Sequence, residues 1–224
     1  MRLPRLTRRA STQRFVNESA PYVDAVHAMY DGHSEGTPHI PAWLIIDQRY
    51  RNSYVFAGLP PRKPLPRRWY RAGAVYRAPT IAELAGQVGI DPAALAKTIA
   101  RFNEFAEAGK DDDFGRGDSA YDRYYGDPRR RPNPCLAPLR QAPFYAVQIV
   151  PGDLGTKGGL RTDERARVLR ADGTAIAGLY AAGNSSAAVM GHSYAGAGAT
   201  IGPAMTFGYL AALDLAGASR EDAP

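Results

Sequence analysis

The sequence predicts an α+β fold on three observations. Helix starts are marked twice in succession, at Thr80-Ile81-Ala82-Glu83 and at Asp91-Pro92. Short β-branched and aromatic runs of strand length stand far apart, at 42–47 and 144–150. The chain then finishes in a glycine- and alanine-rich strand, loop and helix over 178–217.

With 224 residues, 45% of them hydrophobic, the chain is long enough for one large domain or two small ones with a real core. No run of about 18 apolar residues predicts a membrane span, and no apolar h-region follows the basic start, so a cytoplasmic location is expected. One cysteine, Cys135, excludes an internal disulfide and a cysteine-rich zinc site. The net charge of +6 and a pI near 9.5 come mainly from two clusters without acids. Arg2, Arg5, Arg8, Arg9 and Arg14 form the first; Arg62, Lys63, Arg67, Arg68, Arg71 and Arg77 form the second, interleaved with prolines. Neither sits in a nucleic-acid-binding motif, so both read as solvated and no nucleic-acid partner is expected.

Arg14 to Glu18 is expected as a strand that gives way near Pro21 and Tyr22 to a turn or short helix. Ala42 to Asp47 reads as a buried strand, and 57–79, rich in proline and arginine, as an irregular connection. Thr80 and Glu83 have capping-box spacing, which predicts a helix ending near Gly89. Asp91 as N-cap and Pro92 at the first helical position predict the next helix, running to about Ala108 with Leu95, Ile99, Phe102 and Phe105 facing the core. Asp111-Asp112-Asp113 lacks the alternating spacing of a calcium loop and reads as a solvated charge run. Residues 115–138 read as an irregular excursion carrying Tyr121, Tyr124 and Tyr125. Phe144 to Val150 gives the strongest strand signal, and it leads into the turn-rich run Pro151 to Leu160. Two short strands, 165–169 and 178–181, flank a turn at Ala171-Asp172-Gly173, and a last helix is expected from about Pro203 to Gly217.

Glycines let a backbone approach a flat ligand, and a helix start presents unpaired N–H groups and partial positive charge to an electron-rich oxygen. Both features occur in Ala182-Gly183-Asn184-Ser185 and Thr200-Ile201-Gly202-Pro203-Ala204, so the ending reads as a cofactor pocket. The stretch resembles the C-terminal end of the flavoproteins related to fumarate reductase, most closely 3-ketosteroid Δ1-dehydrogenases. The resemblance implies that these nine residues close over the isoalloxazine ring of FAD, with the last helix pointing its N-terminus at the flavin. It also implies that the Tyr194 hydroxyl and the Gly198 N–H bind the ketone oxygen of a steroid-like substrate, and that Tyr22 takes the α-proton. A phenol of ordinary pKa, about 10, needs help to act as a base near neutrality. The family gives that help from a second tyrosine in its N-terminal half, which has no counterpart here. The excursion with Tyr121, Tyr124 and Tyr125 then either borders the substrate cleft or packs on itself.

The resemblance divides the chain into a basic start (1–13), a substrate-facing catalytic domain (14–157), the C-terminal part of an FAD-binding α/β domain (158–217) and a tail (218–224). Its family begins with a strand, a Gly-x-Gly-x-x-Gly turn and a helix for the FAD pyrophosphate, and no Gly-x-Gly-x-x-Gly occurs in these 224 residues. The expectation is a truncated or split dehydrogenase, inactive alone, binding FAD incompletely, and completed by a separately encoded N-terminal half. Exposed apolar surface is expected on its final strand and helix. Half of another fumarate-reductase-like flavoprotein acting on a small carboxylate, or a non-catalytic partner subunit, are the alternative readings. His192, lying before the tyrosine position, reads as a loop residue. The serines lack a Gly-x-Ser-x-Gly elbow, and the four histidines lack close metal spacing, so neither hydrolase nor metalloenzyme is predicted.

Overall fold

A computed structural model describes residues 12–153 and 155–217, which fall in two units, Met1–Pro151 and Gly152–Pro224. Most of the first basic cluster, Arg2 to Arg9, and the tail at 218–224 lie outside the described residues. The fold is a mixture of helix and sheet.

A three-stranded antiparallel sheet organises the first unit. Strand β3 (Phe144–Ile149) is central, between β1 (Ala42–Asp47) and β2 (Val75–Ala78), with Leu44 and Val75 both opposite Val147. Alternation along β3 serves both faces. Tyr145 and Val147 pack with Ile46, Leu65 and Val75, while Phe144 and Ala146 pack with Ala78 and Leu84. A strand covered on both faces carries apolar residues without a polar alternate, which is why this run is the strongest strand signal in the chain.

Helices α4 (Ile81–Val88) and α5 (Pro92–Ala108) cover the second face, where Ala85, Ile90, Leu95 and Ile99 form a cluster beside Trp43 and Ile45. Both begin and end as their caps predict. Thr80 accepts from the Glu83 N–H and Asp91 from the Ala94 N–H, and each helix stops at a left-handed glycine, Gly89 (φ 75°) and Gly109 (φ 77°). The capping box is half made, since the Thr80 hydroxyl donates to the Glu83 carboxylate. Asp47 is buried at the end of β1 and accepts from the N–H groups of Tyr50, Arg140 and Gln141.

Five expectations change. Arg14 to Glu18 is not a strand, because its side chains are committed to a polar cluster and its backbone turns at Asn17, whose side chain accepts from the Ser19 N–H. The helix after Pro21, α1 (Tyr22–Ser34), is 13 residues long. The connection over 57–79 contains a short helix at Arg67–Arg71 and the strand β2, which pairs with β3 and buries Val75 and Ala78. Asp111 is buried, not solvated: Arg14 donates to both of its oxygens at 2.8 and 2.7 Å. The same guanidinium holds Glu18 at 2.7 Å and stands 5.2 and 5.0 Å from the ring centroids of Phe102 and Phe114. Phe102 is therefore a platform for the cation, while Phe105 is buried as predicted.

In the second unit, β4 (Arg167–Leu169) and β5 (Ala175–Tyr180) form an antiparallel hairpin closed at Gly173, and helix α7 (Ile201–Leu215) ends the described chain. Asp214 on α7 accepts from Tyr180 on β5 at 2.7 Å and from Arg165 at 3.0 Å. No residue of α7 is buried; Ile201, Met205 and Tyr209, on one face at four-residue spacing, are 67%, 70% and 46% exposed. The apolar exposure expected of this helix is thus present. Among the described residues no helix is long and apolar enough to cross a membrane, and no group of three His, Cys, Asp or Glu could hold a metal ion.

Burial acts to raise the Asp111 pKa, but the hydrogen bonds and charge of Arg14, with the N–H groups of Asp113 and Arg116, outweigh it and hold the carboxyl below its ordinary value. Its stabilising contribution is complete above the unfolded pKa of about 3.9 and is lost as pH falls through the lower folded value. Arg14→Ala leaves this carboxylate buried without its cation and is expected to cost about 3 kcal/mol, read from the midpoint of urea unfolding. Asp111→Asn is expected to flatten the acid limb of stability below about pH 4, measured by the same titration at stepped pH.

Candidate cofactor and substrate site

The second unit assembles most of the predicted site. After β5 the chain reaches Gly183, where a positive φ of 62° starts a short 3₁₀ turn over Gly183–Ser185. The Ser186 N–H and hydroxyl both donate to the Gly183 carbonyl, at 3.2 and 3.0 Å, closing that turn. Its back lies on the first turn of α7, where a Cβ at Gly183 would stand 3.4 Å from the Ala204 methyl. Ala182, Gly183, Asn184 and Ser185 are thus brought beside the helix start formed by Thr200, Ile201, Gly202, Pro203 and Ala204.

That helix start suits an electron-rich ligand. Thr200 makes no capping hydrogen bond, so the helix dipole is not met by a side chain there, while the Gly202 N–H donates to the Gly198 carbonyl at 2.8 Å and Pro203 contributes no N–H. A Cβ built on Gly202 meets nothing within 4 Å, so the space beside the first turn is open.

The loop expected to face the substrate precedes it. Gly191 and Ser193 close successive turns by donating to Ala188 and Met190, and Gly196 and Gly198 both take positive φ, 113° and 93°. A Cβ on Gly198 would likewise meet open space, and among the described residues no backbone carbonyl accepts from its N–H. Tyr194, four residues earlier, is half-buried. A phenol and a glycine N–H in one short loop are two neutral donors of the kind that stabilise a developing oxyanion.

Tyr22 belongs to the first unit, at the start of α1 and 49% exposed. The segment leading to it is held firmly. Arg14 and Arg116 bind Glu18, Arg116 also donates to Ser19, and the Asn17 amide donates to Asp122.

The run Gly155 to Leu160 was legible only as a turn, yet it braces the turn at Gly183–Ser185. Thr156 donates to the Asn184 carbonyl at 2.8 Å, and Leu160 and Ser185–Ala187 exchange backbone hydrogen bonds at 3.0 and 2.9 Å. Gly159 passes so close that a Cβ there would stand 2.5 Å from the Ser186 carbonyl carbon. Lys157 Nζ donates to the Ser193 carbonyl at 2.7 Å and stands 5.6 Å from the Tyr194 ring centroid. A lysine among glycines was the available signal. Gly159→Ala forces backbone apart and is expected to destabilise this crossing by about 1–3 kcal/mol, seen as faster hydrogen exchange at the Leu160 and Ala187 amides.

Comparison with known proteins gives this geometry a context. A family model described as an FAD binding domain matches residues 6–201. The 3-oxosteroid 1-dehydrogenase of Mycobacterium tuberculosis is 58% identical over 92% of this chain and 37% of its own length. The 4-oxocyclohexanecarboxylate 2-dehydrogenase of Sinomonas cyclohexanicum is 43% identical over 92% of this chain and 35% of its own. Among solved structures, 3-ketosteroid Δ1-dehydrogenase from Sterolibacterium denitrificans, in complex with 1,4-androstadiene-3,17-dione, matches with a TM-score of 0.88 and 45% identity, covering 93% of this chain and 38% of that one. The chain therefore spans less than two fifths of the length of the relatives it matches. By the extent of the family match the chain belongs to the FAD-binding flavoproteins, and within them its similarity is to the 3-ketosteroid Δ1-dehydrogenases.

Proposed function

We propose that this chain supplies the substrate-facing domain, residues 14–157, and the flavin-closing strand, loop and helix, 158–217, of a dehydrogenase that introduces a C1–C2 double bond beside a steroid 3-ketone. The observation that carries the reading is the 58% identity to a 3-oxosteroid 1-dehydrogenase across nearly the whole chain.

The residues present fit FAD. The space beside Gly202 leaves room for a flat ring, the Gly183 turn seats against Ala204 at its edge, and the start of α7 offers its dipole to a ring oxygen. FAD, when bound, supplies the acceptor for the β-hydride. Ala182 to Ser185 and Thr200 to Ala204 would hold the ring. Tyr194 donates its O–H, and Gly198 its N–H, to the ketone oxygen, so negative charge arising at that oxygen as the α-proton leaves meets two fixed donors. Tyr22 takes that proton from C2 as its phenolate, which the second tyrosine in the family's N-terminal half would help to form. No Gly-x-Gly-x-x-Gly lies in these 224 residues, so these residues alone bind FAD incompletely and work with a pyrophosphate site outside them, which a separately encoded N-terminal half would supply. A cytoplasmic setting accords with a single cysteine, and burial chiefly pushes the Cys135 thiol up, which makes it a poor nucleophile.

A small-carboxylate substrate would call for arginine at the site. Residues 182–205 contain neither arginine nor lysine, and the Lys157 ammonium beside them donates to the Ser193 carbonyl, which favours a neutral ketone.

Co-expression with the N-terminal part of the Mycobacterium tuberculosis relative tests the proposal. Stoichiometric flavin absorbance and turnover of a 3-ketosteroid with an artificial acceptor are expected from the pair, and neither from the chain alone. Turnover of fumarate in place of the steroid, or stoichiometric flavin on the single chain, would sink the corresponding part. In the active pair Tyr194→Phe is expected to lower kcat about 100-fold, the loss typical of one oxyanion donor.

A further inference from the structure

We propose that Lys157 is a positioning residue for Tyr194, an inference that rests on the ketone-binding role given to Tyr194 above. Residues 195–199, Ala-Gly-Ala-Gly-Ala, carry no side chain able to anchor the loop, and two of them are glycines in the left-handed region. Such a backbone explores many conformations, whereas a donor useful in catalysis must be held within a fraction of an ångström of its target.

Lys157 fixes the loop at two adjacent points. Its ammonium donates to the Ser193 carbonyl at 2.7 Å and faces the Tyr194 ring at 5.6 Å, within reach of a cation–π attraction. The base of the side chain is itself anchored. The Lys157 carbonyl accepts from the Ala188 N–H at 2.9 Å, its neighbour Thr156 is tied to Asn184 at 2.8 Å, and Gly159 lies against the Ser186 backbone. Among the described residues no carboxylate forms an ion pair with Lys157. Its charge is directed to the loop alone. Braced from the Gly183 turn, which also seats on α7, the ammonium refers the phenol to the same framework that would hold the flavin ring. Lys157 acts through the loop and exchanges no proton with substrate.

The test separates the contact from the catalytic reading. In the chain carrying ¹³C-labelled tyrosine, with the Tyr194 signal assigned through Tyr194→Phe, Lys157→Met is expected to shift or broaden that signal and Lys157→Arg to restore it. The Leu160 and Ala187 amides serve as the check on local folding. An unmoved Tyr194 signal in Lys157→Met would overturn the proposal. In the flavin-loaded pair, Lys157→Met is expected to reduce kcat for a 3-ketosteroid about tenfold with a smaller change in KM, and Lys157→Arg to recover most of it. Loss with Tyr194→Phe but none with Lys157→Met also overturns the positioning role. Full activity of both variants speaks instead against the assigned role of Tyr194, while the spectroscopic result still decides the contact. Should Lys157→Met disturb the folding check, Lys157→Gln, which keeps a donor without the charge, replaces it with the same expectations.

Discussion

The first unit depends on the pairing of Arg14 with Asp111. A carboxylate whose side chain has no solvent exposure can stay ionised only if its charge is matched and its oxygens are filled, and Arg14 does both in a forked contact. Because the guanidinium also holds Glu18 and lies between Phe102 and Phe114, one side chain joins the entry segment, helix α5 and the loop after it. Glu18 and Arg116 extend the cluster to Ser19, so the backbone arrives at Tyr22 along a route set by charge and not by a β-ladder.

The second unit is organised differently, by closeness of backbones. Gly183, Gly159 and Gly198 are where side chains are excluded, the first two for packing and the third to leave a space open. Around them a few hydrogen bonds from Thr156, Lys157 and Ser186 stand in for a core. Helix α7 shows the consequence. Its apolar face has no cover among the described residues.

Legibility followed the range of the interaction. The helices at 81–88 and 92–108 were readable because caps and terminal glycines act within four residues. The strand at 144–149 was readable because burial on both faces leaves four apolar residues in succession, Phe144 to Val147. At 75–78 the strand was missed, since four residues inside an arginine- and proline-rich stretch carry too little pattern, and only pairing with β3 makes them a strand. Asp111 was misread for a related reason. Its sequence neighbours are acids, but the partner that buries it is 97 residues away.

The candidate site divides along the same line. The sequence by itself determined the glycine-rich loop and helix start, the tyrosine and glycine four residues apart, and the kinship with ketosteroid dehydrogenases, because these lie in one contiguous run. Only the tertiary structure decided that Gly183 seats on Ala204, that Gly159 leaves no room beside Ser186, and that Lys157 reaches Ser193 and the Tyr194 ring. Those contacts join segments about 20 to 40 residues apart, and contacts of that separation are chosen by how the folded backbone crosses itself, which no local pattern encodes.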